Sequence, residues 1–412
     1  MTPAITALWR DPSLRLMVVA MLLQGSFVAS VSTFQSLIAV TLYGLSDGAY
    51  ALVLVASLIV SVAASIGVGI ITDQRPSRRA LALCAAVTMT AGAVLVLAGD
   101  NAVAFVVAHV LLLPVAGTLF GQLFAVVRLV TADYPRAQRD GIMATVRAIY
   151  AVPFVVMLAL WGLLFDRGVS LLSVYGWTTL TGAVLMVLIL RRWPHDARTP
   201  WTDVPSGLGF RASLAEMMHG PVLLRVVLVG AVHSGSALLG VVLALLLHAA
   251  SGAGAGADAD ASAGAGAAGM FIAIFVVFEI AATLSVGWLR QFARRLHIIA
   301  VGTFVYALAL AALPLAVGTP ALWLLTLPLG VGGAMVYALA IGYLQDLLGS
   351  RAGAGASLLA LQQIAAQGIS AAAFALGAAL GGYGIAAVLG AVVMSAAMVA
   401  ILWLDRNAPL DA

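Results

Sequence analysis

The sequence predicts an all-α membrane protein with twelve transmembrane helices in two six-helix bundles, and three observations carry that reading. Of 412 residues, 63% are hydrophobic and 9% charged, against roughly 25% charged in an ordinary soluble domain. A chain so poor in charge cannot cover a water-exposed surface. Apolar runs of about 20 residues, the length that crosses hydrocarbon, recur twelve times. The arginines between those runs fall almost entirely on one side of the membrane.

The runs lie at about 16–43, 49–72, 80–98, 102–127, 142–165 and 171–190, then 224–248, 269–289, 297–316, 321–344, 354–379 and 385–404. They are continuous rather than alternating, which excludes a β-barrel. The first follows Arg10 and Arg15, but it is longer than the apolar region of a signal peptide and reads as a retained span. A polar stretch divides six runs from six. The expected organisation is an N-terminal bundle over 1–190, a cytoplasmic linker over 191–222 and a C-terminal bundle over 223–412. Pro194, Pro200, Pro205, Gly207 and Gly209 break any long helix in the first part of the linker. Arg211 to His219 suits either a short amphipathic surface helix or a plain connection. Ala249 to Gly269 is almost all Gly, Ala, Ser and Asp; it buries too little apolar area to offset chain entropy and reads as a flexible external loop.

Orientation follows from the excess of basic residues on cytoplasmic loops. Every basic residue is arginine. With the N-terminus inside, the inner side holds Arg10, Arg15, Arg75, Arg78, Arg79, Arg136, Arg139, Arg191, Arg192, Arg198 and Arg211. It also holds Arg290, Arg294, Arg295, Arg351 and Arg406, and Arg128, Arg147 and Arg225 fall near inner span ends. Only Arg167 is outside, so nineteen of twenty arginines share one side. One span more or fewer would invert every later loop, so the asymmetry also checks the count. Both termini are expected in the cytoplasm.

Several function classes are excluded. The net charge of +4 is spread over many loops and forms no basic patch with interleaved aromatics, so no nucleic-acid partner is expected. Cys84 is the one cysteine, and the six histidines are scattered without a ligand pair; no disulfide, metal or cofactor is expected. The G-A-G-A-G run of Gly252 to Gly256 follows no strand and is not a dinucleotide fingerprint. No P-loop, nucleophile elbow or carboxylate pair is present, which argues against an enzyme and an ATP-driven pump.

The halves are weakly similar to each other. Arg139-Asp-Gly-Ile-Met-Ala-Thr145 aligns with Arg351-Ala-Gly-Ala-Gly-Ala-Ser357, and Gly69 with its following arginines has a counterpart in Gly287 and Arg290, Arg294 and Arg295. Six-plus-six chains with repeated halves are typical of secondary transporters, whose substrate sites lie near the midplane between halves.

After the second span the sequence reads Gly69-Ile-Ile-Thr-Asp73-Gln-Arg75-Pro-Ser-Arg78-Arg79. This resembles the loop signature of the major facilitator superfamily. Gly69 would let two helices approach closely, and Asp73, pairing with arginines such as Arg78, would hold the inner side shut; Gly69, Asp73 and Arg78 are therefore the gating candidates. Pro76 and Ser77 replace the usual glycine, and Gln291 stands where the second copy would carry its acid. Gln122-Leu-Phe-Ala-Val-Val-Arg128, Phe278-Glu279-Ile280 and Tyr343-Leu-Gln345-Asp346-Leu-Leu-Gly-Ser-Arg351-Ala-Gly-Ala-Gly-Ala resemble the sugar efflux transporter family of that superfamily. The resemblance implies a proton-driven exporter of sugars or sugar-like compounds in the bacterial inner membrane. The chain departs from the family pattern in span 1, where Ser30 to Ser36 replaces an expected proline kink. It departs again in span 5, which offers only Pro153 and Gly162.

The remaining candidates are the polar residues that the spans retain. Glu279 is the one acid near the middle of a span. A central charge costs ~2.5–3.5 kcal/mol, so it must be paired or protonated, as a proton-coupling site requires. Arg147, five residues inside span 5 with Tyr150 on the same face, either reaches towards Glu279 or snorkels to the inner surface. Gln24 and Gln35 share a face of span 1, Gln122 lies in span 4, and Gln362, Gln363 and Gln367 cluster in span 11. Amides offer donors and acceptors to a hydroxyl-rich ligand, and Phe27, Phe34, Tyr150 and Phe278 can stack on its apolar face; otherwise these groups simply bond helix to helix. His233 is a titratable candidate or a satisfied core residue. The combined expectation is a monomeric antiporter in lipid, taking a sugar-like solute and protons. Drug or metabolite efflux on the same fold and a transporter-like sensor are the alternatives.

Overall fold

The computed structural model describes residues 3–74, 78–195, 199, 220–252, 264–289, 292–346 and 355–406. Among these the regular structure is helical throughout. A short helix Pro3–Arg10 precedes the spans. The spans are α1 (Pro12–Leu42), α2 (Asp47–Gln74), α3 (Arg78–Gly99), α4 (Ala102–Val130), α5 (Arg136–Phe165) and α6 (Ser173–Arg192). They continue as α7 (Gly220–Ala250), α8 (Ala265–Leu289), α9 (Arg295–Ala316), α10 (Thr326–Asp346), α11 (Gly355–Gly381) and α12 (Tyr383–Leu404). Eleven are long and apolar enough to cross a membrane over their described residues, and the 21-residue α10 makes the twelfth.

Local chemistry sets the boundaries. Asp11 ends the leading helix and caps α1: its Oδ1 accepts the amides of Ser13 at 2.7 Å and Leu14 at 3.2 Å, while Pro12 takes the first helical position, where its missing N–H is harmless. Asn101 caps α4 through the Ala104 amide at 2.9 Å. Pro114 interrupts α4: a π-helical turn over Ala108–Leu112 precedes a short helix Leu113–Gly117, and the chain then resumes as Leu119–Val130. Proline cannot donate into the ladder, and the wider turn absorbs the gap. The Gly/Ala stretch expected as one long loop is shorter at both ends, because α7 runs to Ala250 and α8 starts at Ala265. Alanine is the best helix former. The middle of that stretch, the 211–219 segment and Arg351 lie outside the described residues.

The surface is that of a lipid-solvated protein. Along α9, Val301, Phe304, Leu308 and Leu315 are exposed, Leu315 by 84%. They follow helical spacing, while Thr303, Tyr306, Leu310 and Leu313 on the other side are buried. Both faces are apolar because one meets lipid and the other protein.

The chain divides into two compact units. The first comprises Met1–Ser32, Ala56–Trp161 and Val169–Gly207. Within it α3 packs on α4 and α6, and α1 is tied to its neighbours by hydrogen bonds. The indole of Trp161 donates to Ser30 Oγ at 2.8 Å, and that of Trp177 donates to Ser26 Oγ. Ser30, in the stretch where a proline was expected, thus accepts a bond from α5, and Ser26, a turn earlier, accepts one from α6. Arg79, at the start of α3, donates to the Leu190 carbonyl at 2.8 Å and contacts His195 Nδ1 at 3.0 Å. It thereby satisfies a carbonyl in the last turn of α6, where no intrahelical amide remains.

The second unit comprises Thr33–Val55, Gly162–Gly168 and Leu208–Ala412. In it α7 packs on α11 and α12, α8 on α10, and α9 on α10 and α12. Small residues set the closest crossings. A Cβ on Gly332 would lie 2.7 Å from the Gly302 carbonyl oxygen, and one on Gly302 would lie 2.9 Å from that of Gly332. Gly162 faces the Gly266 carbonyl in the same way. Tyr383 donates to Asp47 Oδ1 at 2.9 Å, and Tyr50 meets Phe374 edge-on. Near the start of α7 and the ends of α10 and α12, Arg225 donates through Nε at 2.8 Å and Nη2 at 2.7 Å to Asp405 Oδ1, and the Tyr343 hydroxyl donates to Oδ2 at 2.6 Å. Asp405 is 3% exposed, so the carboxylate is matched on both oxygens as burial demands.

Two stability predictions follow from these contacts. Arg225→Ala leaves the Asp405 carboxylate buried without its cation, and is expected to cost about 3 kcal/mol, read as a lowered thermal midpoint of the detergent-solubilised protein. Gly332→Val forces a side chain into the α9–α10 crossing and is expected to cost about 1–3 kcal/mol, whereas Gly240→Ala, where a Cβ meets open space, leaves the midpoint unchanged.

Candidate functional site

The first unit gathers three of the expected substrate residues. Gln24, fully buried in α1, donates through Nε2 to the Ala116 carbonyl at 3.2 Å beside the break in α4. Two residues on, Thr118 accepts from Gln122 Nε2 at 3.3 Å. Phe120 on the same segment packs on Tyr150 with ring centroids 4.5 Å apart, and Phe154 flanks Tyr150 at 5.8 Å. Gly25 makes this closeness possible, since a Cβ there would lie 2.6 Å from the Tyr150 carbonyl oxygen. The amide oxygens of Gln24 and Gln122 are buried acceptors without a hydrogen-bond donor among the described residues. Acceptors of this kind favour a ligand or water that donates. Arg147, one turn before Tyr150, is exposed.

In the second unit His233 of α7 is 6% exposed, and its Nδ1 lies 2.9 Å from the Val229 carbonyl. A carbonyl only accepts, so Nδ1 carries the proton and Nε2 is the basic nitrogen. The ring stands edge-on to Tyr337 of α10 at 4.6 Å, and Tyr337 shares a hydrogen bond with Ser236 of α7. Tyr306 of α9 adjoins this group, lining one small crevice with His233, Ser236, Gly333 and Tyr337. Glu279, half-buried in α8, lies where α8 meets α10: a Cβ on Gly330, one turn before Gly333, would lie 3.0 Å from the Glu279 amide nitrogen.

The other expected residues lie elsewhere. Gln35 is partly buried and belongs to the second unit, while Gln24 belongs to the first. The α11 glutamines split between faces: Gln362 is buried, with Nε2 lacking an acceptor among the described residues, and Gln363 and Gln367 are exposed one turn apart. Arg78 is half-buried. Asp73 continues the α2 helix, and its side chain lies outside the described residues. Gly69 meets no atom within 4 Å of an added Cβ, so the close helix approach expected there is not seen among the described residues. Close approaches of this kind fall instead at other glycines, among them Gly25, Gly162, Gly302, Gly330 and Gly332.

Ser236, Tyr306 and Tyr337 were not singled out from sequence. Tyrosines and serines are common in spans, and only the packing of three helices shows that these converge. A signal was present in Gly330-Val-Gly332-Gly333, small residues that let α10 approach both α8 and α9. His109, read from sequence only as one of the scattered histidines, is a buried structural residue, with Nε2 2.8 Å from the Tyr175 hydroxyl and its ring stacked on Phe105.

No protein-family model and no curated protein matches the sequence. Solved structures match in fold. The nucleoside transporter NupG superposes with a TM-score of 0.73 at 14% identity, covering 96% of this chain and 99% of that one. A peptide transporter POT in complex with sulfate gives 0.72 at 13% identity, covering 96% and 95%. A POT family transporter in complex with a thioalcohol-conjugated peptide gives 0.69 at 14%, covering 95% and 96%. A match over almost the whole of each chain makes the fold that of the major facilitators, an all-α membrane protein of twelve spanning helices in two six-helix bundles.

Proposed function

We propose that the protein is a secondary active transporter that exports sugars or sugar-like small solutes in exchange for protons, by alternating access. The observation that carries this reading is the fold match over 96% of the chain to a nucleoside transporter, together with one carboxyl group at mid-span. In this reading the bundles over 1–190 and 223–412 rock about the 191–222 linker. The chain works as a monomer in the bacterial inner membrane with both termini cytoplasmic, and Gly69, Asp73 and Arg78 belong to the inner gate.

The residue chemistry supports a hydroxyl-rich substrate. Gln24 and Gln122 present amides beside the Phe120 and Tyr150 rings, the combination that holds a polar ring with an apolar face. Gln35, Gln362, Gln363 and Gln367 extend the amide set, and His233 adds a titratable group. A nucleoside also contains a sugar, so nucleosides belong among the solutes to test. Glu279 is the proton carrier in this reading: hydrocarbon around a carboxyl favours its neutral form, and opening to water lets it ionise. Arg147 is its candidate partner. Export of drugs or other metabolites on the same fold is the alternative, and acidic or more strongly aromatic walls would favour it. A transporter-like sensor would tolerate loss of the acid.

Two measurements test the reading. Inverted vesicles with an imposed pH gradient are expected to accumulate at least one labelled sugar or nucleoside, and a panel without gradient-dependent uptake sinks sugar export. Glu279→Gln is expected to abolish gradient-driven accumulation while sparing substrate exchange at equilibrium. Undiminished uphill transport in that variant would remove Glu279 from the mechanism.

A further inference from the structure

Tyr306 is 2% exposed, and its hydroxyl has no hydrogen-bond partner among the described residues. Leaving a buried hydroxyl unmatched costs about 1–3 kcal/mol, so such a group calls for a specific partner. The ring lines a crevice between α7, α9, α10 and α12 whose other walls are Val232, His233, Ser236, Gly333, Val336, Tyr337 and Met394. The crevice has room for about one water molecule and is too small for a sugar. Its polar groups are Ser236 and Tyr337, already hydrogen-bonded to each other, and His233 against the Tyr337 ring. Gly333 stands 3.6 Å from the Tyr306 ring and 3.9 Å from Phe275 of α8, measured from the position of an added Cβ. Glu279 follows Phe275 by one helical turn, so it shares that face of α8.

We propose that Tyr306 and a water molecule bound beside it connect Glu279 to the Ser236–Tyr337–His233 group, forming a proton relay across four helices of the C-terminal half. This deepens the proton-coupled reading of Glu279 and rests on it for its physiological role, but not for its chemistry. Glu279 gives up its carboxyl proton to the chain. Each hydroxyl and the water accept one proton on oxygen and release the one they held. The proton ends on His233 Nε2, because Nδ1–H is committed to the Val229 carbonyl. No bond between heavy atoms changes, and reversal restores the start. The titratable groups facing the crevices beside His233 are Tyr306, Tyr337 and Tyr343, with Glu279 across Gly330. No arginine is among their described lining residues. Tyr306 passes the proton in this scheme, and sugar does not touch it.

The test uses the full-length protein in lipid nanodiscs. Infrared difference spectra between two pH values are recorded in ordinary and in ¹⁸O-labelled water, and Glu279→Gln assigns the Glu279 carboxyl band. The wild type is expected to show a water O–H band that moves on ¹⁸O labelling. Tyr306→Phe is expected to lose that band and displace the carboxyl band. Ser236→Ala, which leaves the Tyr306 ring in place, is expected to shift the water band and guards against a Tyr306→Phe variant that fails to fold. A wild type without an ¹⁸O-sensitive band, or bands unchanged in both variants, would overturn the relay. In proteoliposomes Tyr306→Phe is expected to lose gradient-driven accumulation and keep exchange; equal loss of both in folded protein also overturns it. Spectra as expected from a protein that moves no sugar overturn the transported solute and leave the relay standing.

Discussion

Inside hydrocarbon every backbone amide and carbonyl must be satisfied by protein, and water is not available to repair an omission. That constraint shapes the molecule down to its side chains. Hydroxyl groups in the spans turn back onto their own helix: Thr90 donates to the Ala86 carbonyl, Thr131 to Val127, Thr178 to Val174 and Thr303 to Ile299, at 2.7 to 2.9 Å. Such groups are neutralised locally and carry no information between helices. The polar atoms that do cross from one helix to another are therefore few. Among the described residues they include the Trp161 and Trp177 indoles on span-1 serines, Gln24 on Ala116, Arg79 on Leu190, His109 with Tyr175, Ser236 with Tyr337, Tyr383 on Asp47, and the Arg225, Asp405 and Tyr343 cluster. Each fixes one helix against another, and the remaining contacts are made by small residues and apolar packing.

The fold was legible because composition, run length and arginine placement are independent signals that agree. Span boundaries came within a few residues of the helices wherever polar residues flank the run, as at Arg78 and Arg192. They slipped where the chain itself is ambiguous. Ala265 to Gly269 reads as low complexity by composition and is helical in lipid-like surroundings, and Asp11 with Pro12 ends one helix and opens another, a local signal hidden by the length of the apolar run.

The candidate site was legible only in part. Glu279 stood out because an acid at mid-span is costly, and the fold then gave it neighbours that no linear pattern contains. Tyr306, Tyr337 and Ser236 lie on three helices separated by long stretches of chain, and their convergence depends on how Gly330, Gly332 and Gly333 let α10 settle between α8 and α9. The glutamines illustrate the reverse. Gln362, Gln363 and Gln367 look like one cluster in sequence, yet a helix turns 100° per residue and sends Gln362 to a different side from the other two. Gly69 drew attention through its motif, while the glycines at the close crossings carry none.

The Arg225, Asp405 and Tyr343 cluster has a consequence for timing. It fastens the start of α7 to the ends of α10 and α12, and two of those helices carry His233 and Tyr337. In the proposed transport reading, a body braced in this way keeps its internal distances while it swings, and the relay stays connected through the cycle. The slow event in that reading is exposure, the moment at which one end of the path meets bulk water. Rate control would then belong to the hinge rather than to the wire.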